Sequence, residues 1–360
     1  MNRNDIIITH GTDARKMARE VLAAAKIEDM IGSRDKSIGI KPNLVVARPA
    51  NGGATTHPQL VAGVIEYLQD KGFEKITIME GSWVGDRTAE AYSICGYYDV
   101  AKRYNVGIID TQKESYSDHD CKGMTIGICD CAMEVDFMIN MPVLKGHCQT
   151  EVTCALKNNK GIIPNKEKRH FHSMGLHKPI AHLNTVCRND FILVDSICGD
   201  LDFEEGGNPV QMNRVMGFAD PVLCDAYACQ LMGYDISEVP YIGMAEKLGV
   251  GSTRVDQANI ITVREAEGVT AGQQKPGGKV RQLAQKIREK DACSACYAAL
   301  VYALERERYN LKNLPEICIG QGYQGQTGEV GIGRCTAGFK KSCPGCPPKA
   351  IDVVRFLEEL

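Results

Sequence analysis

The sequence predicts an α/β fold: a largely parallel sheet with covering helices, plus a smaller cysteine-rich C-terminal α/β domain. Two observations carry the prediction. Short apolar runs of strand length alternate with stretches whose apolar residues stand three and four apart, the pattern of strands exchanging with amphipathic helices. That alternation then breaks near residue 265, where EAEGVTAGQQKPGGK gathers glycine, proline and polar residues. The expected division is therefore 1–264 for the sheet domain and 265–360 for the cysteine-rich domain.

In chain order, the isoleucines at 6–8 form the first expected strand, and Met17, Val21 and Leu22 give residues 14–25 one apolar helical face. Residues 37–41 form the next strand, closed by Pro42. Thr55 and Thr56 then offer caps for a helix over 57–71, with Pro58 in its first turn. Strands follow at 75–79, 106–109, 136–141 and 191–195, each an apolar run of strand length. Asp220 caps a helix over 221–232, a further helix spans 237–248, and residues 258–263 supply the last strand of the domain.

At 360 residues the chain is long enough to bury an ample core without staples. A net charge of −3 and a hydrophobic fraction of 44% exclude the nucleic-acid-binding, membrane and disordered classes. No apolar run reaches spanning length, and MNRNDIIITHGTD lacks the sections of a signal peptide, so the expected compartment is the cytoplasm. Sixteen cysteines at uneven spacings in such a chain read as reduced thiols, which suits an anaerobic or strongly reducing host.

Cys293 and Cys296 in CSAC open an apolar helical pattern, so one turn presents both thiols at a helix start, where amide groups favour thiolate. Cys335 lies in the glycine-rich GIGRC, and Cys346 precedes two prolines in CPGCPP. These four are the expected metal ligands of one [4Fe-4S] cluster. Cys343 is a substitute for Cys335 or Cys346, and Cys318 stands near enough in sequence to enter the set. Zinc on the two CxxC pairs, a transient redox pair and plain core thiols stand beside that reading. Gly320, Gly322 and Gly325 spell GxGxxG, but glycines continue where a helix should begin, which favours a tight loop around the cluster over a dinucleotide cradle.

Five of the eight histidines fall within residues 141–182 beside seven Lys or Arg and two Glu, an excess that points to an anion. In a parallel sheet the binding crevice lies beyond the C-terminal strand ends. Lys41 and Asn43 follow one such end, Glu80 closes another, and Lys145 and His147 follow a third. Lys157, Asn158 and Lys160 close the next helical stretch, with Gly161 as its stop. Thr56 and His57 stand at a helix start beside them. Lys145, His147 and Glu80 are the expected catalytic groups. Lys41, Asn43, Thr56, His57, Lys157, Asn158 and Lys160 are the expected substrate-binding groups. His170 and His172 could chelate a metal from an extended segment, without an evident partner.

The run KPNLV, ATTHPQLV, MEGS, DFMINMPVLKGH, TCALKNNKG, RHFH, FILVDSI and ADPVLCDAYACQLMG resembles domain-of-unknown-function family 362 over roughly residues 36–250. The resemblance implies an iron–sulfur cluster-binding protein with a cysteine-rich C-terminal extension. It marks Lys41, Asn43, Thr56, His57, Glu80, Lys145, His147, Lys157, Asn158, Lys160, Asp195, Asp220 and Asp225 as recurrent polar positions, without a catalytic role for any. The close CxxCxxC repeat of many relatives is absent. GIGRC followed by GCPP is also similar to the cluster-binding pattern of hydrogenase small subunits. The expected function is an oxygen-sensitive redox enzyme acting on a small carboxylate or phosphate ligand, served by a redox partner protein. The alternatives are a non-enzymatic electron-transfer or cluster-handling protein and a zinc-stapled hydrolase or isomerase.

Overall fold

The computed structural model describes residues 1–266, 278–307 and 311–360. Its main body is built on an eight-stranded sheet. From one edge to the other, the strands are Asn259–Arg264, Asp5–His10, Pro209–Phe218, Phe191–Asp200, Phe137–Met141, Ile38–Pro42, Ile76–Glu80 and Gly107–Asp110. Pro209–Phe218 runs antiparallel to both its neighbours, and the other pairings are parallel. The fold is thus the expected α/β class with a largely parallel sheet.

The two central strands Phe137–Met141 and Phe191–Asp200 are buried along their whole length, because helices cover both faces. On one face pack Ala14–Ala25, Pro58–Asp70 and Tyr97–Tyr104. Ala14–Ala25 starts where the Asp13 carboxylate accepts from the Lys16 amide at 3.1 Å, and it buries Met17, Ala18, Val21, Leu22 and Ala25. Each such large apolar side chain, once fully buried, contributes roughly 1.5–3 kcal/mol relative to exposure. On the other face pack Asn165–Met174, His177–Leu183, Pro221–Leu231 and Pro240–Lys247. Asp220 caps Pro221–Leu231 by accepting from the Val222 and Leu223 amides at 2.9 and 3.1 Å.

The seven expected strands all occur within a few residues of their predicted bounds. Pro209–Phe218 was not among them. Its outer half alternates between exposed and half-buried residues, with Val210, Met212 and Arg214 on one side, and only its inner half is apolar and buried. The expected helix over 237–248 is a short turn, Ile236–Glu238, followed by the helix Pro240–Lys247.

A second sheet lies late in the chain. Its four short strands, Ile287–Glu289, Ile317–Ile319, Val330–Ile332 and Lys341–Cys343, are parallel and pair in chain order. With the helices Ser294–Arg306 and Ala350–Glu358 they enclose their own apolar cluster around Leu300, Leu304, Ile317, Ile319 and Val353. Cys148 and Phe203 of the main body pack against that cluster, and Gln149 Nε2 donates to Ala292 O at 3.0 Å. The expected boundary at residue 265 borders positions outside the described residues.

Candidate functional site

Beyond the C-terminal ends of Ile38–Pro42, Ile76–Glu80 and Phe137–Met141 opens a cavity whose space, its solvent-filled mouth included, is about 610 Å³. Asn43, Glu80, Lys157, Asn158 and Lys160 line it, as do Trp83, Lys168, His172, Glu204 and Glu205. The hairpin Lys145–His147/Glu151–Thr153 supports its floor, and the short helix Ala155–Asn158 carries Lys157 and Asn158.

Lys41 and Glu80 form a buried ion pair there. Lys41 Nζ also donates to Pro42 O at 2.7 Å and to Asn158 Oδ1 at 3.1 Å. Burial drives both partners toward neutrality, Lys41 downward and Glu80 upward, and each opposes the shift through the other's charge. Asn158 joins the strand ends: its Oδ1 also accepts from Asn43 Nδ2 at 2.9 Å, while its Nδ2 donates to Asn140 Oδ1 at 2.7 Å.

Glu204 is the second anchor. Its carboxylate pairs with Lys157 and with His147 Nε2 at 3.1 Å. Burial alone would raise this carboxyl, but Lys157, His147 and Lys145 hold it well below the usual carboxylate range. His147 Nδ1 accepts from the Gln149 and Thr150 amides at 3.0 and 3.1 Å, so Nε2 bears the hydrogen. Burial and the nearby Lys157 push His147 down to about 4, which keeps the ring neutral.

Lys145 Nζ is surrounded by acceptors, Asn43 Oδ1 at 3.0 Å, Ala54 O at 2.6 Å and Glu204 O at 3.0 Å. Neither Lys145 nor His147 lines the cavity; both fix the groups that do. Thr56 likewise tethers, accepting from Asn43 N and donating to Met141 O, both at 2.8 Å. His57 lies outside the cavity lining, with Nδ1 2.8 Å from the buried carboxylate of Asp195.

Trp83, Lys168, Glu204 and Glu205 line the cavity without having been among the expected site residues, and His172 had been given another role. Lys168 Nζ donates to Gly81 O and Ser82 O, both at 2.8 Å, and burial lowers it to about 8. His172 was expected on an extended segment, yet it lies on the helix Asn165–Met174. Positions two apart on a helix face different sides, so His172 turns to the cavity while His170 is exposed beside Glu167. Glu204 belongs to a loop without a local pattern, and only the surplus of cations facing it hinted at a carboxylate.

The late-chain thiols form a second site. Cys293, Cys296, Cys335 and Cys346 line a small cavity, about 280 Å³ with its open mouth included, together with Ile319, Gly320, Gln321, Gly333 and Arg334. Cys293 is the N-cap residue of Ser294–Arg306 and Cys296 lies in its first turn, which turns the positive end of the helix toward both sulfurs. Gly333 has φ +88°, and a Cβ added there would stand 3.6 Å from Cys296 Sγ, partly filling the thiol-lined space. Burial, then the neighbouring Cys293, Cys346 and Cys335, push Cys296 up to about 12. Four sulfur donors around one cavity are a donor set that suits a softer metal.

Cys343 is buried in the apolar cluster and Cys318 lies on Ile317–Ile319; neither lines the cavity. The loop after Gly320 does wrap the thiols. Gln324 Nε2 lies 3.5 Å from Cys335 Sγ, and Gln321 Nε2 lies 3.6 Å from Cys293 Sγ. That same Gln321 nitrogen donates to Ser173 O at 2.7 Å, next in sequence to His172. One side chain therefore joins the thiol site to the helix that borders the crevice. No helix among the described residues is long and apolar enough to cross a membrane.

Known proteins resemble parts of this chain. It is 22% identical over 233 residues to the thylakoid-associated protein sll1697 of Synechocystis, an alignment covering 60% of this chain and 69% of that protein. A lactate racemase apoprotein structure from Thermoanaerobacterium thermosaccharolyticum superposes with a TM-score of 0.42 at 15% identity, covering 66% of this chain and 58% of that one. Residues 38–230, more than half of the chain and the stretch that builds the crevice, match the domain of unknown function DUF362, and the protein belongs to that family.

Proposed function

We propose that the protein holds one [4Fe-4S] cluster on Cys293, Cys296, Cys335 and Cys346 and acts as a redox enzyme on a small anionic substrate in the neighbouring crevice. The observation that carries this reading is the spacing of the thiols. Four sulfurs line one small cavity, yet among the described residues only Cys154, Cys224 and Asp225 bring three donor atoms within 4.8 Å of one another. Thiolates on a single zinc, each about 2.3 Å from the ion, would lie less than about 4 Å apart. A four-iron cube seats each ligand on its own iron corner and keeps them farther apart.

A bound cluster would supply single electrons at the edge of the crevice. The amides of Gln321 and Gln324 bear on two of its sulfur ligands, and such contacts tune reduction potential. In the crevice, Lys168 attracts the anion, and Glu80, raised by burial, is the carboxyl able to take a proton from it. Lys145 and His147 hold Asn43 and Glu204 in register.

The test is the absorption spectrum with iron and sulfide analysis of anaerobically purified protein. The expected result is a broad visible band that bleaches with dithionite, beside matched iron and sulfide. Colourless protein carrying one zinc would sink the reading. Cys293→Ser and Cys346→Ser should each remove most of the iron, whereas Cys343→Ser should leave it in place. For the crevice, calorimetric titration with acetate, pyruvate and phosphate should reveal binding that also moves the fluorescence of Trp83, the single tryptophan of the chain.

A further inference from the structure

Five lysines cluster around the crevice, and four are engaged by carboxylate or carbonyl oxygens. Lys41 meets Glu80, Lys157 meets Glu204, Lys145 meets Ala54 O and Glu204 O, and Lys168 meets Gly81 O and Ser82 O. Lys160 differs. It lines the cavity, has no carboxylate oxygen within ion-pair reach among the described residues, and its Nζ has one polar contact, His172 Nε2 at 3.4 Å.

We propose that Lys160 is an imine-forming amine and that its substrate is a small 2-oxo acid. The inference rests on the crevice reading and is independent of the thiol site. An amine that attacks a carbonyl must be uncharged and must face the space where substrate sits. Burial and the like charges of Lys157 and Lys168 lower Lys160 to about 7, with Glu204 opposing. His172 adds no charge: burial and Lys160 itself keep its ring neutral far below physiological pH.

Lys168 completes the substrate class. An ammonium has three N–H groups, two of these are spent on Gly81 O and Ser82 O, and the third remains for a carboxylate. A 2-oxo acid offers that carboxylate directly beside its carbonyl carbon. In the reaction, Lys160 Nζ bonds to the carbonyl carbon, the nitrogen loses two protons, and the carbonyl oxygen takes up two and leaves as water. The C=N bond that remains withdraws electrons from the adjacent carbon and so weakens its C–H bonds. No external oxidant or reductant is required.

The test incubates the intact protein with pyruvate and cyanoborohydride, which reduces imines, and maps the product by peptide mass. The expected result is one carboxyethyl group on Lys160. Lys160→Arg should abolish the label while calorimetry still detects pyruvate, and Lys178→Arg, on the exterior, should leave it unchanged. Pyruvate that binds without labelling Lys160, or that labels exposed lysines as heavily, would overturn the imine and spare the crevice. Absence of binding by pyruvate, acetate and phosphate together with absence of label would overturn both.

Discussion

A single oxygen of Asp195 determines what His57 can do. Asp195 Oδ2 accepts from the His57 amide at 2.7 Å and lies 2.8 Å from its ring Nδ1. Burial works against a charged ring, but the charge and hydrogen bond of Asp195 outweigh it, and the pKa of His57 is raised. A raised folded-state value stabilises the fold fully below the unfolded value of about 6.5, and that stabilisation fades as pH rises through the folded value. Asp195→Asn should therefore cost more stability at about pH 6 than at about pH 9. Urea unfolding at the two pH values decides it, and an equal or larger deficit at the higher pH would refute the pairing. At this scale the sequence marked His57 and Asp195 as polar positions at strand and helix ends. It could not pair them, because 138 residues separate the two and only the fold closes that distance.

Among the elements, those with a strong local period were legible and those shaped by partners were not. The helix Ala14–Ala25 was read to the residue, since its buried set follows a helical spacing. Pro209–Phe218 hid because its outer half is partly exposed and Gln211, Asn213 and Arg214 break up its apolar residues, so no apolar run of strand length marks it. Gly161 shows the same limit. Read as a helix stop, it lies inside a tight turn, Asn159–Ile162, that continues Ala155–Asn158. Its reason is close approach: a Cβ at 161 would collide with Glu80 Oε1 and with Lys41 Nζ. Gly161→Ala should thus force the buried ion pair apart and destabilise the protein by about 1–3 kcal/mol, as overpacking does. Chemical denaturation measures this, and a variant as stable as the parent would show that the turn yields freely.

For the whole molecule, the question is how two cores communicate. The crevice belongs to the main body, and the thiols belong to a sheet with an apolar cluster of its own. The seam between them is polar in part, with Gln149 to Ala292 and Gln321 to Ser173, and apolar in part, where Cys148 and Phe203 enter the smaller cluster. That Cys293, Cys296, Cys335 and Cys346 would meet at one cavity was legible, because CxxC at a helix start, a glycine-rich loop and a proline-flanked loop are local patterns. The seam was not, since no single element of it has a motif. The proposed metal, tying Cys293 and Cys296 to Cys335 and Cys346, would close long loops around four strands of three residues each, strands too short to hold one another without help. Stripping iron should therefore raise amide hydrogen exchange across the four short strands and, through Gln321, at the end of Asn165–Met174, while the central strands Phe137–Met141 and Phe191–Asp200 stay protected. Mass-spectrometric exchange on loaded and stripped protein reads this directly. Equal loss of protection in the central strands would mean that the two cores unfold as one, and that the metal stabilises the entire chain rather than its smaller sheet.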